Sequence, residues 1–137
     1  MKFRKKYAII SCLFAFVLIS VAATKPPKRD DPFKNLQVLP KDISSKELSH
    51  IMVDEFSEGV GMSCGTCHAK EKNSEKLDYA SDAKPEKQIA RAMMRMTLKI
   101  NKDYFEIDSA MIGAPVLAVR CETCHRGQPR PDDATAP

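Results

Sequence analysis

Cys64-Gly65-Thr66-Cys67-His68 and Cys121-Glu122-Thr123-Cys124-His125 are two copies of one five-residue pattern, and their reading decides what fold this chain can take. In each copy, two cysteines three positions apart are followed at once by a histidine. On a short helix the two sulfurs lie about one turn apart on one face, placed to add to the vinyl groups of a porphyrin. The histidine then turns a ring nitrogen to the iron as proximal axial ligand. The pattern predicts two covalently attached c-type haems, with Cys64, Cys67, Cys121 and Cys124 as thioether anchors and His68 and His125 bound to the irons.

Two rival readings explain less. A redox dithiol needs neither the histidine nor a second copy, and expects a βαβ context that the sequence does not offer. Zinc would accept these ligand types, but 53 residues separate Cys67 from Cys121, far more than paired zinc knuckles use.

The chain has 137 residues, 43% apolar and 29% charged, which allows one small domain in which two haems supply much of the core. Its formal charge of +4 is carried by Lys2, Arg4, Lys5 and Lys6; the remaining 18 basic residues equal the 18 acidic ones. The body is neutral, so the charge is no argument for nucleic-acid binding. Four of the five cysteines belong to the haem motifs, which leaves no pair for a disulfide.

Residues 1–23 are expected to be a signal peptide or a membrane anchor. A basic run precedes an apolar stretch over 7–23, and Val21-Ala22-Ala23 suits cleavage before Thr24. The same stretch is also just long enough to span a bilayer uncleaved. Either way the rest of the chain is exported, to the periplasm or its equivalent, where haem c is attached. Cys12, with few apolar residues before it and many after, reads as a buried small hydrophobe rather than a lipidation site.

Residues 24–40 read as an extended strap, because Pro26, Pro27, Pro32 and Pro40 exclude helix while Phe33, Leu36, Val38 and Leu39 offer apolar contacts. The dihaem domain is expected over 41–131, with a flexible tail over 132–137. Ser44 and Glu47 make a capping box, with Ile43 and Leu48 placed as a hydrophobic staple, opening a helix that should end near Gly59. Leu48, Ile51, Met52 and Phe56 share its apolar face; His50 lies on the wet side. Residues 69–83 read as a surface loop ordered by Leu77 and Tyr79. A second long helix is expected from Pro85 to about Tyr104, with Ile89, Met93, Met96, Ile100 and Tyr104 as its apolar stripe and Arg91, Arg95, Lys99 and Lys102 toward its polar sides. Between it and the second motif, Met111-Ile112 and residues 116–119 suggest a short hairpin around Gly113-Ala114-Pro115. The fold class is therefore mostly α: two main helices, short helices at the attachment motifs, and long loops.

Each iron also needs a second axial ligand if it only carries electrons. Met52, on a helix that a glycine turn can lay over the first haem, is the candidate there; Met62 is too close to Cys64 to reach over the ring. For the second haem, helical geometry favours Met93 or Met96 over Met94, with Met111 also in reach, and does not choose between the first two.

Asn35-Leu36-Gln37-Val38-Leu39, the helix carrying Met52, the run Ala90-Arg91-Ala92-Met93-Met94-Arg95-Met96-Thr97 with Ile100-Asn101, and Cys121-Glu122-Thr123-Cys124-His125-Arg126-Gly127-Gln128-Pro129 together resemble the cytochrome c subunit of photosynthetic reaction centres. The resemblance covers about residues 35–131. It implies a haem-pair fold and electron transfer, with Met52 ligating the first iron and Met93 the second. That family's reaction-centre subunits carry four haems in two such pairs, whereas this chain has one pair and a longer segment between Asn101 and Cys121. The resemblance therefore implies the fold and the electron transfer but not photosynthesis, and a non-phototrophic setting is expected.

The function expected is that of an exported electron carrier with two haem c groups and His/Met ligation, not an enzyme. Its partners are other redox proteins, including a membrane respiratory or photosynthetic complex; no nucleic acid is expected. The alternatives are a peroxidase-like dihaem enzyme with one open iron, and a haem subunit fixed in a membrane complex. Arg126, with Arg120 and Arg91, is a candidate partner for haem propionates, since a guanidinium matches a carboxylate in a bidentate way.

Overall fold

The computed structural model describes residues 33–133. The leader or anchor expected over 1–23, Cys12, the first part of the strap and the last four residues of the tail lie outside them. Among the described residues no helix is long and apolar enough to cross a membrane.

The first helix opens as its capping residues predict. Ser44 is extended, and its hydroxyl accepts from the Glu47 N–H at 3.2 Å, starting α1 at Ser45–Ile51. The expected single helix to Gly59 is two windings, because from Met52 to Glu58 the chain follows a π-helix. Gly59 N–H bonds the carbonyl of Asp54, five residues back, at 2.9 Å. Wide turns of this kind are uncommon and gather at functional sites. No hydrophobic period announces them, so the sequence could give only the segment's ends.

The first cysteine motif forms the short helix α2, Cys64–Cys67. After it, residues 69–83 are more ordered than a loop: Ala69–Lys70 (β1) pairs antiparallel with Leu77–Asp78 (β2). The long helix α3 runs Pro85–Phe105, with its proline in the first turn as expected, and stops at Glu106 in left-handed conformation. The hairpin suggested around Gly113 does not form. Residues 107–120 are instead turns, held by the side chain of Asn101. The second motif forms α4, Cys121–His125, and a 3-10 turn follows at Pro131–Asp133.

The architecture is mostly α, as expected, but its protein core is small. Leu39, Ile43, Ile51, Met94 and Ile112 form its buried centre, with Phe33, Leu36 and Val38 of the strap packed against them. The described half of the strap thus packs on the core. Asn35 holds it there from a positive φ of 71°, its amide donating to the Ala80 carbonyl at 2.6 Å and to Asp82 at 2.9 Å.

The long helix turns its polar side inward. Its buried residues are Lys87, Arg91, Met94, Thr97 and Asn101, while Ile89, Met93, Met96 and Tyr104 of the expected apolar stripe are exposed. This corrects the placement of Arg91 on a polar outer side. The buried charges have partners: Lys87 Nζ donates to the carbonyls of Tyr79 (2.8 Å) and Ser81 (2.7 Å), and Arg91 lies 2.9 Å from Asp82 and donates to the Asn35 carbonyl at 3.1 Å. Burial lowers the pKa of Lys87, against the opposing pull of Asp82.

Candidate haem-attachment sites

Both motifs wind into helix for the same local reason. The threonine in each, Thr66 or Thr123, sits at the third helical position and reaches back to the residue before the helix. Thr66 Oγ1 lies 3.1 Å from the Ser63 hydroxyl, and Thr123 Oγ1 accepts from the Arg120 N–H at 3.0 Å. Each hydroxyl occupies a polar group at a helix start. The sequence shows this as a threonine shared by both copies, a signal the sequence reading passed over.

The four motif cysteines are free, with Cys64 and Cys124 exposed and Cys67 and Cys121 half-buried. Burial, then Glu86, raises the Cys67 thiol; burial, then Glu55, pushes Cys121 up to about 12. A redox dithiol uses the opposite shift, a lowered pKa that supplies thiolate. Nor do three of His, Cys, Asp and Glu converge as a metal-ion cage among the described residues. Both rivals to haem attachment are weakened by this chemistry.

The two histidines are held differently. His125 closes α4, and its Nδ1 lies 3.0 Å from the Gln128 carbonyl, which suits a protonated Nδ1 and leaves Nε2 as the acceptor. A proximal histidine is commonly fixed in this way by a partner on its far nitrogen. His68 follows the end of α2 in extended conformation, its ring edge-on to Tyr79 at 4.9 Å. Its Nδ1 is buried with no hydrogen-bond partner of good geometry. Burial, then the charge of Lys87, lowers its pKa, so the ring is neutral as an iron ligand must be.

The candidate distal methionines separate by exposure. Met52 opens the π segment and packs, half-buried, on the core. Met94 is only 5% exposed within that core, whereas Met93 and Met96 are 43% and 48% exposed on the uncovered face of α3. Met111 and Met62 are half-buried outside the helices. Met94 is thus packed in the protein core, whereas Met93 and Met96 lie one helical turn apart on the uncovered face. His50 is exposed and paired with Asp54 at 2.6 Å.

Of the three arginines considered for propionates, two are engaged elsewhere. Arg91 is buried with Asp82 and the strap, and Arg120 pairs with Glu55. Arg126 is exposed at the left-handed cap of α4.

The elements are joined crosswise. Helix α2 packs on α3, and Lys84, just before α3, donates to the Gly65 carbonyl inside the first motif. Helix α4 packs on the π segment. There Glu55, 2% exposed, accepts from Arg120 and from the Cys121 N–H, and Gly127 N–H bonds the Gly59 carbonyl at 3.0 Å. Glu55 did not stand out in the sequence, and Asn101 did so only within the family resemblance, because a single polar residue on a helix reads as solvated surface.

These residues fit haem c. Four free thiols lie in pairs on short helices, one histidine is anchored by Nδ1, and the other is neutral with a buried nitrogen. Beside them α3 presents an uncovered apolar face of the kind a porphyrin packs against.

The sequence pattern of the family described as "Photosynthetic reaction centre cytochrome C subunit" matches residues 11–136. Over 126 residues the chain is 28% identical to the photosynthetic reaction center cytochrome c subunit of Rubrivivax gelatinosus. That match takes in 85% of this chain but only 28% of the relative's length. No solved structure is similar to the chain.

Proposed function

Because the chain belongs to the photosynthetic reaction centre cytochrome c subunit family, with its covalent haem c and electron transfer, we propose that it is a carrier with two haems, one on each motif. Each bound iron would take up and release one electron. Cys64 and Cys67 anchor one haem with His68 as proximal ligand; Cys121 and Cys124 anchor the other with His125. Met52 and Met93 are the distal ligands, Met93 being favoured over Met96 by the family resemblance. The observation that carries the reading is the repeated motif, wound into a thiol-bearing helix twice with a placed histidine each time.

The chain's own part is positioning and exclusion of water. The Gln128 carbonyl orients His125, burial keeps His68 neutral, and the apolar residues of α3 shield a ring laid against them. The only histidine outside the motifs, His50, is exposed and paired with Asp54, so it offers the peroxidase-like alternative no distal histidine. The domain boundaries, 41–131 for the haem domain with a strap before it, and the leader or anchor over 1–23 belong to the same proposal. So do a location on the periplasmic side of a membrane and a partner that is a membrane redox complex, photosynthetic or respiratory.

Mass spectrometry of the exported protein, with absorption spectra of wild type, Met52→Ala and Met93→Ala, tests this. Two haem masses per chain are expected, with a weak red band from methionine–ferric bonds that each substitution diminishes. The reduced wild type is expected to ignore carbon monoxide. One haem mass would refute the count, and carbon monoxide binding to the wild type would reopen one iron to the enzyme reading.

A further inference from the structure

We propose that Glu55 is a positioning residue for the second haem: its carboxylate, with Arg120, fixes the turn from which that haem is attached and balances the charge beside it. This rests on the reading that Cys121 and Cys124 carry a haem. Glu55 lies three residues after Met52 on the π segment and is 2% exposed, a costly place for a carboxylate without compensation. The compensation comes entirely from the start of α4. Oε1 accepts from Arg120 Nε at 2.9 Å and also from its Nη2, and Oε2 lies 3.3 Å from the Cys121 N–H. The same acid thus grips the residue before the helix and the first thioether cysteine.

The other end of α4 is held by the same segment's exit, where Gly127 N–H bonds the Gly59 carbonyl. The helix carrying the first haem's distal methionine is consequently the frame that holds the second haem's attachment.

A carboxylate and a guanidinium next to Cys121 also act on the electron. The pair is neutral as a whole, so breaking it in opposite ways must move the second haem's potential in opposite directions. With Glu55→Gln, an uncompensated guanidinium favours the less positive ferrous iron and raises the potential. With Arg120→Gln, an uncompensated carboxylate favours ferric iron and lowers it. A residue that only packed would loosen the site from either side and shift the potential the same way in both variants.

The test is a spectroscopic redox titration at alkaline pH of the full-length haem-loaded protein as wild type, Glu55→Gln, Arg120→Gln and the double variant. Two transitions are expected in the wild type. One of them should rise in Glu55→Gln, fall in Arg120→Gln and return toward wild type in the double variant. Same-direction shifts, or no shift, would overturn the proposal. Should Glu55→Gln fail to assemble, Arg120→Lys beside Arg120→Gln decides: a transition lowered in Arg120→Gln and restored in Arg120→Lys supports the proposal, and an unmoved transition or equal shifts in both overturn it. A mass showing one haem per chain would instead overturn the two-haem reading itself.

Discussion

Asn101 is 0% exposed, and its amide spans two parts of the chain. Nδ2 donates to the carbonyls of Thr97 (2.9 Å) and Val119 (2.7 Å); Oδ1 accepts from Ala118 N–H (2.8 Å) and Val119 N–H (3.1 Å). One side chain thereby fastens the stretch before Cys121 to the long helix. Asn101→Ala leaves the Ala118 and Val119 backbone groups unpaired, and is expected to cost about 3–4 kcal/mol in denaturant unfolding while lowering haem occupancy at Cys121. A loss under about 1 kcal/mol would mean that the loop is held by something else. At this scale the sequence was legible where chemistry demands a fixed spacing, as with the cysteines and histidines. It was silent where one polar residue does its work across 17 or 18 positions, because nothing local distinguishes Asn101 from a solvated asparagine. Met94 shows the same limit, since a helical stripe ranks neighbouring methionines only if one knows which face the protein covers.

The ends of the elements were readable and their interiors less so. Ser44, Gly59 and Pro85 mark boundaries because capping, chain reversal and a missing N–H act locally. The π winding of Met52–Glu58 and the polar-inward face of α3 arise from contacts distant in sequence, and the second inverts the usual rule of periodicity. The contact of the π segment's exit with α4 makes a prediction at this scale. A Cβ on Gly61, whose φ is +70°, would lie 2.1 Å from the Gly127 carbonyl oxygen, an atom of the backbone that cannot swing aside. Gly61→Ala is expected to lose at least about 2 kcal/mol and to disturb the second motif from a position beside the first. Gly65, inside the first motif, meets nothing within 4 Å, so Gly65→Ala should stay within about 0.5 kcal/mol. Paired thermal melts check both; equal effects would mean that the two loops are not in contact. At the helix start, Ser44→Ala should cost about 1 kcal/mol in the same melts, through the lost bond to the Glu47 N–H.

Across the whole described unit, one acid joins the strap to the long helix, beside the direct bond from Arg91 to the Asn35 carbonyl. Asp82 receives the Asn35 amide at 2.9 Å and the Gln37 amide at 3.4 Å from the strap, and faces Arg91 and Lys87 from α3. The Asn35 hydrogen bond first, and then Arg91 and Lys87, hold its pKa below the ordinary 3.8. The sign follows by linkage. The unfolded chain takes up this proton more readily than the folded one, so the contribution of Asp82 is complete above pH 3.8 and is lost as the pH falls through the lower folded value. Protonation also leaves Lys87 and Arg91, both buried, facing no carboxylate on that side, which adds to the loss. Melting temperature measured from about pH 6 down to about pH 2 should therefore fall more steeply in the wild type than in Asp82→Asn, whose stability is lower at neutral pH. The difference between the two should narrow as the acid limb is descended. A constant difference at every pH would mean that the charge of Asp82 contributes nothing to the union of strap and helix.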